Sequence, residues 1–198
     1  MKRFSTETGR VEAFSDGVLA VIITIMVLEL RPPASTSLAS ILAVLPSMAI
    51  YALSFVFVGI YWNNHHHMLR ASRGIDGRAM WANLHLLFWL SLVPFATAWL
   101  GRSPLAVGPT VVYGILLLLD AIAYTLLQRA LLAVNGSDAP FAKAVAVDVK
   151  GMISLGLYVV AIGVAFVSTI ASDVIFVAVA ALWLVPDRRF EPLIDVER

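Results

Sequence analysis

Six long apolar stretches alternate with short polar segments along this chain, at about residues 14–30, 38–62, 80–100, 105–127, 144–167 and 174–185. A helix rises about 1.5 Å per residue, so about 20 apolar residues cross a hydrocarbon core of about 30 Å. Proline and glycine mark most of the breaks, as in Arg31-Pro32-Pro33. The pattern predicts one all-α domain, residues 1–198, with transmembrane helices at about 10–30, 38–67, 78–100, 105–130, 144–167 and 171–185. The sixth stretch is short, and a helix lying on the membrane surface is the alternative there.

The composition agrees with an integral membrane protein and narrows the possible chemistry. Hydrophobic residues make up 60% of the 198 residues and charged residues 14%, which excludes an ordinary soluble domain. The formal net charge of +1 comes from bases scattered between apolar stretches, so we predict no nucleic-acid partner. Because cysteine is absent, thiolate catalysis and cysteine-based metal sites are excluded. We expect no enzyme activity and no cofactor.

Lysine and arginine fall almost entirely on one side of the predicted bundle. Threading six helices back and forth places twelve of the fourteen Lys and Arg residues on the side of the N-terminus. Only Arg31 and Arg102 fall on the other side. Because cytoplasmic loops carry the excess of positive residues, we expect both termini of this multi-pass protein in the cytoplasm.

The start of the first helix carries ionisable residues where they are costly. Asp16 lies just inside the first apolar stretch, and Arg10 precedes it by six residues. A charge within a membrane helix is expensive, so it is commonly paired and functional. Six residues are nearly two helical turns, so we expect Arg10 and Asp16 each to bond with a neighbouring helix rather than with each other. The alternative is that Asp16 lies at the water interface as a helix N-terminal charge.

Further along the same helix, one stripe combines small, branched and hydroxyl side chains. Its members are Gly17, Val21, Thr24 and Leu28, at the spacing i, i+4, i+7 and i+11, and Ile25 lies beside them. If several copies met around an axis, the stripe would form rings of branched apolar side chains and one ring of hydroxyls. Apolar rings of this kind close a pore by dewetting. The alternative for each residue is ordinary helix packing or lipid contact, with Thr24 bonded to its own backbone.

The second and third helices carry polar residues near the predicted depth of Asp16. The second ends in Trp62 and a run of histidines at 65–67, and the third carries Asn83 and His85. Consecutive helical residues differ by about 100° in azimuth, so the three histidines cannot converge on one ion and we predict no metal site. Polar residues that share one layer favour an interhelical hydrogen-bond network.

Two features of the fourth predicted helix need an interpretation. Asp120 lies near its middle, where a buried acid is protonated or bonded to a neighbour, or else lines a transport path. The segment Thr110-Val-Val-Tyr113-Gly114 is similar to the carbonyl filter of ordinary potassium channels, but it lacks the central glycine and runs into a leucine-rich helix. We therefore expect no re-entrant filter loop there.

The motif Arg10-x-x-x-Phe14-Ser15-Asp16 resembles the signature of the transmembrane protein 175 family of potassium channels, in its single-repeat prokaryotic form. Trp62-x-x-His65 at the end of the second helix supports the resemblance. So do Asn83-Leu84 and Pro94-Phe95 in the third helix. The resemblance covers roughly the first half of the chain.

The resemblance implies a homotetramer of six-helix subunits in a prokaryotic plasma membrane, with the first helix lining a central pore. Carried over by distance from Asp16, the pore constriction falls on Val21, Ile25 and Leu28, and a hydroxyl layer linked to selectivity falls on Thr24. Val21 departs from the family pattern because a bulkier side chain is usual there. The signature residues would hold the first helix against the second and third: Arg10, Phe14, Ser15, Asp16, Trp62, His65 and Asn83.

From these features we expect a potassium-selective or potassium-preferring leak channel without a carbonyl pore-loop filter. Its partners would be further copies of itself, the lipid bilayer and permeant potassium ions. The alternative is a proton-coupled secondary transporter that uses Asp120 and the histidine cluster. A membrane enzyme with a histidine-bound metal is a third possibility, and the histidine spacing argues against it.

Overall fold

The computed structural model describes residues 2–136, 141–142 and 148–184. Within these residues the chain forms helices joined by short connections, with no β-strand. The helices with described bounds are α1 (Lys2–Leu28), α2 (Leu38–Ala71), α3 (Gly77–Leu90), α4 (Val93–Arg102), α5 (Val107–Asn135), α6 (Val149–Val164) and α7 (Thr169–Leu184). The predicted all-α fold is confirmed. Lys143 and the arginines beyond Leu184, which enter the predicted charge asymmetry, lie outside the described residues.

Four helical stretches are long and apolar enough to cross a membrane. They are Thr8–Leu28, Leu38–Ala71, Gly77–Arg102, which joins α3 and α4, and Val107–Asn135. Helices α6 and α7 are equally apolar but have 16 residues each, or about 24 Å of helix. That length is less than the hydrocarbon core of about 30 Å. The chain is therefore a helical membrane protein, and six complete spans remain a prediction.

The third predicted helix, 78–100, is interrupted in the structure. Helix α3 ends at Leu90 and α4 begins at Val93, with Pro94 in its first turn. Proline has no N–H to donate to the carbonyl four residues earlier, and its ring crowds that carbonyl. The ladder of hydrogen bonds therefore restarts around Pro94.

Other helix boundaries differ by one turn or more from those predicted. Helix α1 begins at Lys2 instead of residue 10, while α2 extends to Ala71 and α5 to Asn135. The residues added to α1 are largely polar and those added to α2 and α5 largely apolar, because hydropathy does not mark the end of the hydrogen-bond ladder. The predicted start of the fifth helix, 144–147, lies outside the described residues.

Helix α5 is the central element of the bundle. One cluster of buried apolar side chains packs mainly between α1, α2, α3 and α5, and a second between α2, α4, α5, α6 and α7. Gly114 permits the close approach of α6 and α7, because a Cβ atom there would lie 2.9 Å from Ile162 Cγ1 and 2.9 Å from Phe176 Cζ. In lipid there is little hydrophobic force between helices, so such packing and interhelical hydrogen bonds hold the bundle together.

The segment that is similar to a potassium-channel filter lies inside α5. Thr110, Tyr113 and Gly114 are all buried residues of this continuous helix. The Tyr113 hydroxyl forms a hydrogen bond of 2.9 Å with Ser54 of α2. The segment is therefore helix-packing surface and not a loop that exposes its carbonyl groups.

Candidate functional site

Helix α1 has two distinct faces. Its buried side chains, each at most 3% exposed, recur at the helical spacing i, i+4, i+7 and i+11: Ser15, Leu19, Ile22 and Met26. The predicted stripe of Gly17, Val21, Thr24 and Leu28 begins two residues later, which is about 200° around the helix. The stripe therefore points away from the other helices of the subunit.

The predicted constriction residues are all exposed on this outward face. Leu28 is 76% exposed, Val21 56% and Ile25 45%, and Thr24 is also exposed. The Thr24 hydroxyl donates a hydrogen bond of 2.8 Å to the Ala20 carbonyl of its own helix. That bond uses the hydroxyl hydrogen and leaves the oxygen lone pairs on the exposed face, where an oxygen can accept a hydrogen bond or contact a cation.

A buried chain of side chains joins α1, α3 and α2. Ser15 Oγ donates to the Val11 carbonyl at 2.8 Å and accepts a bond of 3.0 Å from Asn83 Nδ2. His65 Nε2 donates to Asn83 Oδ1 at 2.6 Å. All three side chains are almost fully buried, at 2% exposure or less. In this low-dielectric setting each unmade bond is costly, so the chain fixes how the three helices meet.

A second row of contacts, nearer the surface, joins α1 directly to α2. Trp62 Nε1 donates to Asp16 Oδ1 at 3.0 Å. His66 Nδ1 lies 2.6 Å from Glu12 Oε1, and its ring stacks on the Trp62 ring with centroids 6.1 Å apart. Glu12 and Asp16 are one helical turn apart, as are Trp62 and His66, so the two rows of side chains match. We call these four residues and the Ser15–Asn83–His65 chain the anchor network.

Most of the predicted signature residues thus meet in the anchor network. Ser15, Asp16, Trp62, His65 and Asn83 all take part in it. His65 reaches Ser15 of α1 only through Asn83 of α3. The prediction missed Glu12 and His66. The sequence did contain a signal for them: Glu12 is four residues before Asp16 and His66 is four residues after Trp62, so each pair lies on one helix face.

Arg10 and Phe14 do not join the anchor network. Both lie on the exposed face of α1, in line with the stripe, and Phe14 is 56% exposed. With Met80 and Leu84 of α3 they line an open groove of about 550 Å³. Within the described part of the chain, Arg10 makes no hydrogen bond or ion pair. The partner expected on a neighbouring helix is not found among the described residues, because residue 10 lies about 140° around the helix from buried Ser15.

The far end of α1 is also tied to the bundle, by residues that the sequence did not single out. Arg102 Nη2 at the end of α4 lies 2.5 Å from Glu29 Oε2, just after α1. Both side chains are about half exposed, so the pair is solvated and contributes little energy. The pair nevertheless links the end of α1 to the end of α4.

The remaining candidates lie apart from the anchor network. Asp120 is fully buried in α5, and neither of its oxygens has a hydrogen-bond partner among the described residues. His85 accepts a bond of 2.9 Å from Trp89 of its own helix. No group of three or more metal-ligating side chains converges anywhere in residues 2–136, 141–142 and 148–184.

Known proteins share both the sequence and this architecture. Residues 10–94 match the family model described as endosomal/lysosomal potassium channel TMEM175. A potassium channel of a Chryseobacterium species is 48% identical over 183 residues, which cover 92% of this chain and 95% of that protein. The chain belongs to the TMEM175 family. A Streptomyces collinus protein, also described as a potassium channel, is 34% identical over 82% of this chain and 84% of its own length.

A solved structure of the TMEM175 family has the same fold. It is the crystal structure of a homologue of the lysosomal potassium-selective channel TMEM175 from Chamaesiphon minutus. It superposes with a TM-score of 0.80 at 30% identity, covering 92% of this chain and 98% of that one. The matched region 10–94 contains α1 from Arg10 onward and all residues of the anchor network, so the family likeness includes the residues that tie α1 to α2 and α3.

Proposed function

We propose that this chain is a potassium-preferring leak channel of the plasma membrane, assembled as a homotetramer around an axis lined by α1. Val21, Ile25 and Leu28 form its constriction, and the Thr24 hydroxyls form a polar ring between them. Membership of the TMEM175 family supports the proposal, because relatives that match most of the chain are described as potassium channels.

The two faces of α1 are the observation that carries the proposal. One face is packed and hydrogen-bonded inside the subunit, while the other exposes a stripe with a hydroxyl among branched apolar side chains. A single copy encloses no path along this stripe. Several copies around an axis would enclose one, and apolar rings exclude water where they are narrow.

The anchor network has a clear role in such a channel. A pore built from separate helices keeps its diameter only if each helix is held at a fixed rotation and tilt. Ser15 and Asp16 tie the middle of α1 to side chains of α3 and α2, and Glu29 links its end to α4 through Arg102. The network positions the pore helix without touching the ion.

Ion flux through purified protein in liposomes tests the proposal. Potassium should leave loaded vesicles faster than sodium under equal gradients, and the flux should need no second ion gradient. Equal rates for the two ions, or a flux no higher than that of vesicles without protein, would refute the proposal.

Polar substitutions locate the pore face. Val21→Asn and Leu28→Asn should each raise the potassium flux several-fold, because an amide in an apolar ring lets water enter the constriction. Val27→Asn is the matched control: Val27 is also exposed on α1, at 44%, but lies outside the stripe. If only Val27→Asn raises the flux, the stripe is not the pore face.

A proton-coupled secondary transporter is the second candidate. The observation that favours it is buried Asp120, whose oxygens have no hydrogen-bond partner among the described residues. His65 and His66 do not contribute to that site, since they bond with Asn83 and Glu12. A fixed ratio of potassium to protons moved, measured as a reversal potential that shifts with the pH gradient, would favour the transporter over the channel.

A further inference from the structure

The segment that joins α2 to α3 concentrates positive charge. It runs from Arg70 to Arg78, with Arg73 between them and Asp76 as its single acid. All three arginine side chains are exposed. Asp76 is the N-cap of α3, and its carboxylate accepts a hydrogen bond of 2.8 Å from the Ala79 N–H. Three arginines against one aspartate leave this end of the bundle with an excess of positive charge.

Buried Asn135 at the end of α5 fixes the backbone of this segment. Its Oδ1 accepts a hydrogen bond of 2.9 Å from the Arg73 N–H, and its Nδ2 donates to Ser72 Oγ at 2.9 Å. Ser72 Oγ in turn donates to the Gly74 carbonyl at 2.7 Å. Because these bonds hold the backbone in one conformation, less conformational freedom is lost when the arginines bind a ligand.

Two of the three arginine side chains are available to a ligand. Arg70 Nη1 lies 3.5 Å from His66 Nε2. Neither Arg73 nor Arg78 forms a side-chain hydrogen bond or ion pair with another residue in the part of the chain that the structure describes. A guanidinium group carries five N–H donors in a planar fork, which matches two oxygens of a phosphate group. The segment therefore presents two such forks on a fixed backbone.

Exposed side chains of α3 continue from Arg78 into the apolar part of the bundle. Trp81 lies one turn after Arg78 and is 75% exposed, and Phe88 lies two turns beyond Trp81 and is 55% exposed. Each of these rings precedes a buried residue, Asn83 or Leu90, by two positions, which is about 200° around the helix. Both rings therefore point away from the other helices of the subunit.

The groups along this line of α3 follow the order of the groups in a phospholipid. From Arg78 to Phe88 the helix rises about 15 Å, which is half of a hydrocarbon core of about 30 Å. Arginine belongs at the level of the phosphates, and tryptophan is enriched just below, at the membrane interface. The Trp81 indole N–H, which has no described partner, can donate to a phosphate or ester oxygen. A free phosphate ion would use the arginines alone, whereas a lipid would use the whole line.

We propose that Arg73, Arg78 and Trp81 bind the phosphate group of an anionic phospholipid whose acyl chain lies along Phe88. This site is separate from the open groove beside Arg10, which is lined by other residues of α3. The argument uses neither potassium conduction nor the constriction residues, so failure of the proposed channel function would leave it standing. A second copy of the chain is the competing occupant of this face.

Native mass spectrometry of the purified protein with added lipid measures the binding. Phosphatidylglycerol should bind with a dissociation constant at least about fivefold lower than that of phosphatidylcholine, in which the choline cation offsets the phosphate charge. The double variant Arg73→Gln and Arg78→Gln should lose most of this preference. Replacing both arginines by lysine keeps the charge but not the planar forks, so that protein should fall between the two. Arg31→Gln is the matched control, because Arg31 is also exposed but follows the end of α1; it should bind like the unmodified protein.

Fluorescence quenching locates the lipid on α3. Phosphatidylglycerol with brominated acyl chains should quench the unmodified protein more than Trp81→Phe, and the difference reports the contribution of Trp81. Soluble glycerol phosphate carries the same headgroup without acyl chains. It should displace the lipid only at concentrations at least about a hundredfold higher, because it cannot contact Phe88.

Four results would overturn the proposal. Equal affinity for the two lipids would remove the preference for an anionic headgroup, and an equal loss of affinity in Arg31→Gln would show that general surface charge accounts for it. A Trp81 contribution that brominated lipid leaves unquenched would indicate that a second copy of the chain covers this face. Competition by glycerol phosphate at lipid concentrations would indicate a site for free phosphate. If the double variant does not fold, Arg78→Gln alone, at an exposed helix position, carries the test.

Discussion

The buried hydrogen bonds of Asn83 allow a quantitative test of the anchor network. Replacing Asn83 by leucine keeps the approximate volume but removes the bond to Ser15 at 3.0 Å and the bond with His65 at 2.6 Å. Ser15 keeps its bond to the Val11 carbonyl. His65, which is 1% exposed, is left with no bonded nitrogen, because its Nδ1 already lacks a partner among the described residues.

The expected loss follows from the two bonds and the histidine left behind. Hydrogen bonds between membrane helices contribute about 0.6 kcal/mol on average and up to about 1.7 kcal/mol. Asn83→Leu should therefore lower the free energy of unfolding by about 1–3 kcal/mol. Because much of that loss is the cost of an unsatisfied histidine, adding His65→Leu should restore part of it.

Unfolding by sodium dodecyl sulfate in mixed micelles measures the effect in a double-mutant cycle. The single variants Asn83→Leu and His65→Leu and their combination should give a coupling energy of about 1 kcal/mol. Asn64→Leu is the matched control, because the described bond of the Asn64 side chain goes to the Ile60 carbonyl of its own helix. A coupling energy indistinguishable from zero would refute the claim that the Asn83–His65 bond holds α2 to α3.

Three other substitutions probe separate parts of the structure. Gly114→Ala should destabilise the fold by about 1–3 kcal/mol, because its Cβ would collide with the side chains of α6 and α7; an unchanged midpoint of unfolding would contradict that packing. Glu12→Gln should cost about 1 kcal/mol or less, since the Glu12–His66 pair is partly exposed, at 21% and 28%. A double-mutant coupling energy between Glu12 and His66 that is indistinguishable from zero would contradict the contact between them. Leu28→Asn should raise potassium flux several-fold, and a flux equal to that of the unmodified protein would place Leu28 outside the pore.

The helices were predicted well from the sequence where the length and composition of an apolar stretch determine its structure. Apolar stretches of about 20 residues must become helices in lipid, because every backbone polar group needs a partner there. The break before Pro94 was harder to predict, since proline can either kink a helix or begin a new one. Helix α6 ends at Val164, three residues before the predicted end, because hydropathy does not reveal where the last hydrogen-bonded turn ends.

The anchor network was only partly predictable, for a geometric reason. Depth along the membrane normal follows from counting residues, so Asp16, His65 and Asn83 could be placed in one layer. Rotation does not follow, because a helix that is apolar on every face gives no azimuth. The sequence therefore could not tell that His65 meets Asn83 while His66 meets Glu12.

The face of α1 shows the same limit. Ser15 identifies the buried side, and its position about 200° from the stripe makes the stripe the outward side. Whether an outward side contacts lipid or lines an axis depends on how several copies assemble, and the hydropathy pattern of one helix does not specify that. The same holds for Arg10, which lies on that outward side without a described partner.

One cysteine on the outward face of α1 tests the central claim most directly. The chain contains no cysteine, so a single Leu28→Cys substitution introduces one defined thiol without further changes. If the α1 stripe lines the pore, a charged methanethiosulfonate reagent should block potassium flux through the Leu28→Cys protein. The same reagent should not change the flux through the Val159→Cys protein, because Val159 is an exposed residue of α6 and lies outside the α1 stripe. Unimpeded flux after complete modification of Leu28→Cys would contradict the account.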